Sequence, residues 1–377
     1  MLLTLSPDQA FFRETTEKFL VQQMPPNEVR QLRDDPVGFD PGYWRRGADL
    51  GWTSLLVDEE HGGGTISGGA VVDLSLVAYE FGRHAGPGPL LPTNVVASTL
   101  GVHGAHPEVL GGLLAGTEIA SWCAPAFSPG NGLGEPSVEI RRDGADFLVR
   151  GEVRPVESAG QANHLLVTCR DGSDLTQVLV EASSPGVSVA PMKTVDLTRR
   201  FGVVTFDDVR LDAASVVGAP GEASVDADRQ LRHTLAVLNA EAVGAMQAAF
   251  DMTVEWAFDR YAFGRPLASY QALKHRFADM LTWLEGGHAI NDAACVAVDE
   301  GSDEADELLS VAKAFIGQYG AELVQDCVQM HGGIGVTFEH DLHLFLRRFT
   351  VNRALAGTPA EHLRRIGAML GPGVRAA

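Results

Sequence analysis

Three spaced segments hold polar and glycine residues from which a ligand site could be built. The first, Asp259 to Met280, reads DRYAFGRPLASYQALKHRFADM and holds Arg260, Phe263, Gly264 and Gln271. The second, Asp326 to Arg348, reads DCVQMHGGIGVTFEHDLHLFLRR and holds Gln329, Gly332 and Gly333. The third, Arg353 to Arg365, reads RALAGTPAEHLRR and holds Thr358. Taken singly, each has a plain structural role. Arg260 suits a solvated helix end, Phe263-Gly264 a helix stop with a packed aromatic, and Gln329 with Gly332-Gly333 a helix C-terminus, where glycine is favoured. Their order and spacing together are harder to assign to structure alone. Other chemistries find little support. There is no GxxxxGK[ST], HExxH or GxSxG motif. SPGNGLGEP (Ser128 to Pro136) alternates glycines but is not followed by a helix pattern, as a dinucleotide loop requires. HGGIG (His331 to Gly335) has the glycines of an oxyanion loop without a nucleophile elbow. The histidines form no clear metal-ligand cluster; His340 and His343 stand at i, i+3, a pairing more common on surfaces than on metals.

The elements that must position these residues change texture twice. From Ser6 to about Gly116 the chain reads helical. Ser6-Pro7-Asp8-Gln9 is a capping-box start, with Ser as N-cap, Pro first in the helix and Gln at its third position. A helical pattern covers Trp44 to Trp52, the cluster HGGGTISGG (His61 to Gly69) interrupts, and Ala70 to Gly82 resumes a helix. From about Ala120 to Val217, runs such as SVEIRR, DFLVRGEV, HLLVTCR and FGVVTFDDVRL alternate or cluster β-formers between Gly, Asp, Pro and Ser, which predicts a compact antiparallel β domain. From about Asp228 helical periodicity returns in a long Ala-rich segment, then over Gln271 to about Val298, Asp306 to Met330 and Asp341 to about Ala354. The acidic stretch EGSDEADE (Glu300 to Glu307) reads as a solvated turn and helix start. The expected architecture is mostly α with a central β domain. It comprises an N-terminal helical domain (1–118), an antiparallel middle domain (119–222) and a C-terminal four-helix bundle (223–377) with one face left for another subunit.

Composition narrows the setting. Hydrophobic residues make up 45% of the chain, enough for a sizeable core. Acids outnumber bases 49 to 29, and a formal charge of −20 disfavours nucleic acid and anionic lipid while permitting a local basic pocket. Cys123, Cys169, Cys295 and Cys327 are far apart, as expected of reduced, buried thiols in a cytosolic protein. No run of about 18 apolar residues predicts a membrane span, and the N-terminus lacks the basic region of a signal peptide.

The three segments together resemble the acyl-CoA dehydrogenase family. GWTSLLVDEEHGGG (Gly51 to Gly64) is similar to that family's first-domain motif, and FDDVRL before VVGAPGEA to the exit from its β domain. The resemblance implies a flavoprotein oxidoreductase, usually tetrameric. FAD would lie between the β domain and the bundle, its ADP half crossing to a neighbouring subunit. A typical member removes an α-proton from an acyl-CoA while the β-hydride moves to the flavin. It also implies an electron-transfer acceptor and a cytoplasmic location. By that resemblance Arg260 matches the arginine that pairs with pyrophosphate, a role that suits a planar guanidinium. Phe263 and Gln271 match flanking cofactor contacts. Gln329, Gly332 and Gly333 match the loop that cradles the partner's FAD, and Thr358 a cofactor contact near the last helix.

The flavin-ring half departs from the family. Phe127 stands at its threonine, Leu133 at its serine, Pro155 at its tryptophan and Glu157 at a second threonine. Ala356 occupies the place of the catalytic glutamate, and Thr234 and Leu235 the alternative place. Glu241, two turns further along, is the one candidate for a displaced base. No catalytic residue is therefore assigned. This half-intact pattern resembles the base-lacking subunit of actinobacterial heteromeric acyl-CoA dehydrogenases, some of which act on steroid-CoA thioesters. The alternatives are a self-sufficient dehydrogenase, possible in a homo-oligomer if the base has moved, and an FAD-free scaffold or acyl-CoA binder.

Overall fold

A computed structural model describes residues 4–370. The helical start is built as its caps dictate. Helix α1 (Pro7–Gln23) begins where Gln9 N donates to Ser6 Oγ (3.2 Å) and Ser6 N donates to Gln9 Oε1 (3.1 Å), satisfying donors that a helix start leaves open. Gln9 Nε2 also donates to buried Asp73 (2.8 Å). Helices α2 (Pro26–Gln31), α3 (Pro41–Asp49), α4 (Ala70–Arg83), α5 (Leu90–His103) and α6 (Pro107–Leu114) complete the first layer. The sequence pattern did not single out α5. Residues 90–101 are buried on every side, so no polar face marks a period.

The middle strands are β1 (Ala120–Cys123), β2 (Phe127–Ser128), β3 (Gly132–Leu133), β4 (Val138–Asp143), β5 (Asp146–Glu157), β6 (His164–Asp171), β7 (Asp174–Glu181), β8 (Val187–Met192), β9 (Phe201–Leu211) and β10 (Val216–Val217). The main sheet runs β10-β7-β6-β4-β5-β9-β8, with β1 on β6 and the β2–β3 hairpin apart. The expected antiparallel domain is thus a mixed sheet. β1 lies parallel to β6, and β4 meets β6 in parallel at Glu139 and Arg170. Alternation marks a strand's two faces but carries no information on its direction, and the long excursion between β1 and β6 allows the parallel pairing. Buried valines and phenylalanines, Val149, Val167, Val178, Val204 and Phe206 among them, form this layer's own core.

The C-terminal layer holds α7 (Ser224–Asp259), α8 (Gln271–Asp299), α9 (Ala305–His331), α10 (Leu342–Ala354) and α11 (Pro359–Met369), with the short pair β11 (Tyr261–Ala262) and β12 (Arg265–Pro266) between α7 and α8. Helices α4 and α7 touch backbone to backbone. A Cβ on Gly82 would stand 2.0 Å from Glu241 O, and one on Gly244 2.0 Å from Tyr79 O, so only glycine permits this crossing. Among the described residues no helix is long and apolar enough to cross a membrane, and the four cysteines are buried and unpaired.

Four buried charges and the part-buried Glu157 join the three layers. Arg348 on α10 donates from Nε to Asp196 Oδ2 (2.6 Å) and from Nη1 to Glu241 Oε1 (2.6 Å), and it reaches the carbonyls of Ala85 and Gly86 behind α4. Arg199 donates to both oxygens of Glu157 on β5 (2.8 and 3.0 Å) and to Glu241 Oε2 (2.9 Å). Asn352 Nδ2 donates to the same Glu241 oxygen (2.9 Å). Desolvation raises the Asp196 carboxyl, but the Arg348 guanidinium and the Thr198 amide outweigh it and hold its pKa at about 2. Removing one partner of such a set leaves a buried charge uncompensated. Arg348→Met is therefore expected to cost about 3–5 kcal/mol in urea unfolding. Because the folded pKa of Asp196 lies below its ordinary 3.8, its contribution is present above about pH 4 and is lost as pH falls through the folded value. Asp196→Asn should flatten that acid limb of the stability-versus-pH curve while lowering stability at neutral pH.

Candidate functional site

A cavity of about 330 Å³ lies between the sheet, α5, α7 and the link from α10 to α11. Phe127 and Leu133 enter it from opposite strands of the β2–β3 hairpin, Pro155 and Glu157 from the end of β5, Thr234 from α7, and Ala356 from the last link. Tertiary structure thus gathers into one wall the positions at which the chain departs from the resembled pattern. Leu91, Val95, Trp122 and Leu238 make most of the remainder apolar, and exposed Arg154 adds a cation.

Two carboxylates line the cavity, and both are committed. Glu157 is gripped at both oxygens by Arg199. Burial pushes its carboxyl above the usual range, with Arg199 pulling it back, so no isolated negative charge faces the cavity here. Glu361 Oε2 accepts from Thr358 N and Thr358 Oγ1, both at 2.8 Å, where it caps α11. These hydrogen bonds hold its carboxyl below the usual range, which makes it a weak proton acceptor. Glu241, the sequence candidate for a displaced base, does not line this cavity. Its two oxygens are taken by Arg348, Arg199 and Asn352, so its role is the buried structural one.

The link itself is tightly packed. Ala356 adopts φ 51°, and Gly357 adopts φ 97°. A Cβ on Gly357 would meet the Phe127 ring at 2.6 Å and His362 Nε2 at 2.8 Å. Behind it, His362 Nε2 stands 2.8 Å from Ala356 O, and burial pushes the imidazole pKa down to about 4. Ala356 therefore has a neutral imidazole behind its carbonyl and no titrating group of its own.

Six of the seven expected cofactor residues gather at the opposite, outward end of the bundle. Arg260 follows α7, Gln271 opens α8, and Gln329 with Gly332-Gly333 closes α9, so three antiparallel helices bring their ends together. Trp256 joins them: its ring stacks on His331 at 5.2 Å, and the Arg260 guanidinium carbon lies 5.9 Å from its centroid. Arg260, Phe263, Gln271, Gln329, Gly332 and Gly333 are exposed, Phe263 by 99%. A Cβ on either glycine would meet nothing within 4 Å. Among the described residues no carboxylate lies within ion-pair distance of Arg260. Thr358 stands apart from the six, beside the cavity, with its hydroxyl on Glu361.

Against FAD, the two regions differ. An exposed guanidinium without an acid partner and an open Gly-Gly turn fit a diphosphate presented by a neighbouring molecule. The hairpin and β5 side of the cavity fits a flavin ring poorly. The polar edge of the ring needs N–H or O–H donors, and the side chains of Phe127, Leu133 and Pro155 have none, which leaves Thr234 and Arg154 as side-chain donors in the lining. The constellation read from sequence omits Arg199 and Arg348, which set the electrostatics behind the wall. Their signal is weak but present: each belongs to an Arg-Arg pair beside apolar residues, LTRRF and FLRRF.

Known proteins place the chain. Residues 226–371 match the model of the acyl-CoA dehydrogenase C-terminal domain, and residues 6–108 that of the N-terminal domain. Acyl-CoA dehydrogenase IpdE2 of Mycolicibacterium smegmatis is 30% identical over 97% of this chain and 99% of its own. The ChsE4-ChsE5 complex from Mycobacterium tuberculosis superposes with a TM-score of 0.86 at 25% identity, covering all of both chains. Butyryl-CoA dehydrogenase from Megasphaera elsdenii superposes with a TM-score of 0.88 at 21% identity over 98% of this chain and 100% of that one. With this architecture and a relative matched along almost its whole length, the chain belongs to the acyl-CoA dehydrogenase family, whose cofactor is FAD.

Proposed function

We propose that this chain is the base-lacking subunit of a heteromeric, FAD-dependent acyl-CoA dehydrogenase that introduces an α,β double bond into an acyl-CoA thioester. The observation that carries the reading is the cavity wall. Abstraction of an α-proton needs a group within hydrogen-bond reach of it. Ala356 and Thr234 offer none, and Glu157 and Glu361 are held by Arg199 and Thr358. The base would come from a homologous chain. FAD, when bound, supplies the hydride acceptor. Arg260 would neutralise its diphosphate, Gln271 and Gln329 would offer amide hydrogen bonds, Gly332-Gly333 would admit it closely, and Phe263 would pack beside it. Thr358 would have to give up Glu361 to reach the cofactor. The resemblance to a two-component complex supports the reading, as does the exposure of all six residues on one end of the bundle. A cytoplasmic location and an electron-transfer acceptor accompany it.

Co-expression with a homologue that retains the glutamate, followed by assay with an acyl-CoA and an artificial electron acceptor, tests the proposal. The pair should turn over substrate and this chain alone should not; equal turnover by this chain alone would overturn the assignment. In the active pair, Arg260→Ala should lower flavin affinity by about 2 kcal/mol, or roughly thirtyfold. Flavin absorbance of the purified complex would report that loss, and unchanged flavin content would remove Arg260 from the site.

A further inference from the structure

We propose that a second cavity, away from the family's cofactor region, binds a small molecule bearing a phosphate group. It measures about 670 Å³ and shares no lining residue with the central cavity. Three parts of the chain enclose it: the turn Leu32–Asp34 after α2, the link from β8 to β9, and α10 with the loop before it. Its volume lies in the range of small-molecule sites and exceeds that of a bare phosphate.

Four cations face it: Arg33, Lys193, Arg200 and Arg347. In a chain of net charge −20, such convergence is unlike the average surface, and the four cations outnumber the two carboxylates of the lining, Asp34 and Asp196. Arg200 donates to Asp35 O (3.2 Å), Leu197 O (2.8 Å) and Leu32 O (2.6 Å). Arg347 donates to Val195 O at 3.0 Å. Carbonyl oxygens satisfy these donors and orient the guanidiniums; Asp196, Asp35 and Asp34 partly offset the Arg200 charge, which leaves Arg33, Lys193 and Arg347 as the main source of positive field. Among the described residues Lys193 has no carboxylate within ion-pair distance. The nearest acid to Arg33 is Asp34, at 3.9 Å with a 95% exposed side chain, where water screens the attraction. Asp196 also lines the cavity, but Arg348 holds it from behind at 2.6 Å.

The cations are positioned as well as present. The Phe338 ring holds the guanidinium carbons of Arg33 and Arg347 at 5.2 and 5.9 Å from its centroid, gathering two long side chains at one wall. Several cations around one space favour a multiply charged anion over a single carboxylate, and guanidinium groups match the oxygens of a phosphate. The volume left over suits an organic body attached to it.

Titration calorimetry at low ionic strength tests this on the chain in the assembly it forms, with inorganic pyrophosphate and adenosine monophosphate as probes. Saturable binding of either is expected. The double variant Arg33→Glu, Lys193→Glu should weaken it by about tenfold or more, with an unchanged melting temperature because both side chains are exposed. Lys193→Gln alone should weaken it less, and Arg260→Ala should leave it unchanged. Absence of saturable binding by either probe at millimolar concentration would overturn the proposal. So would affinity that survives the double charge reversal, or that is lost in Arg260→Ala instead.

Discussion

Two arginines with no exposure to speak of hold this molecule's layers in register. Arg348 and Arg199 share Glu241, and through Asp196 and Glu157 they reach the β8–β9 link and the sheet. Taking these charges out of water is costly, and a pair of this kind adds little stability over a well-packed apolar core. What it adds is intolerance of misplacement. A shift of α10 against α7, or of the β8–β9 link against either, would strand a charge in a dry interior. Because Glu157 belongs both to this network and to the cavity wall, the shape of the cavity follows from the same constraint.

That constraint also explains why acids near the cavity do not imply acid–base chemistry. Glu241 and Glu157 compensate arginines, and Glu361 closes a helix start. Each has a structural partner at hydrogen-bond distance, and the position nearest the floor, Ala356, has no titrating group. At the outward end of the bundle the pattern reverses. Arg260, which lies over the Trp256 ring, has no acid partner among the described residues, and it and the Gly332-Gly333 turn are exposed. The acids around the cavity are held by internal partners, whereas the guanidinium at the outward end has no acid partner among the described residues.

Much of this was legible before any coordinates. The capping box at Ser6, the long helices of the bundle and the strand-rich middle follow from local chemistry, where one residue's neighbours in sequence are its neighbours in space. Helix α5 was not legible, because burial on all sides removes the polar face that would betray a period. Strand direction in the sheet was not legible either, because alternation is the same in both senses. Among the site positions, Phe127, Leu133, Pro155 and Ala356 could be singled out as departures from a resembled pattern, but not as one surface.

The sequence by itself determined the order of helical, β and helical layers, the membership suggested by three spaced motifs, and the loss of a carboxylate at Ala356. Tertiary structure alone decided what the remaining acids do. Glu241, which spacing left open as a base, is fixed between two guanidiniums that come from residues 42 and 107 positions away along the chain. Charge compensation in a dry interior depends on distance in space, and no local pattern of residues encodes it.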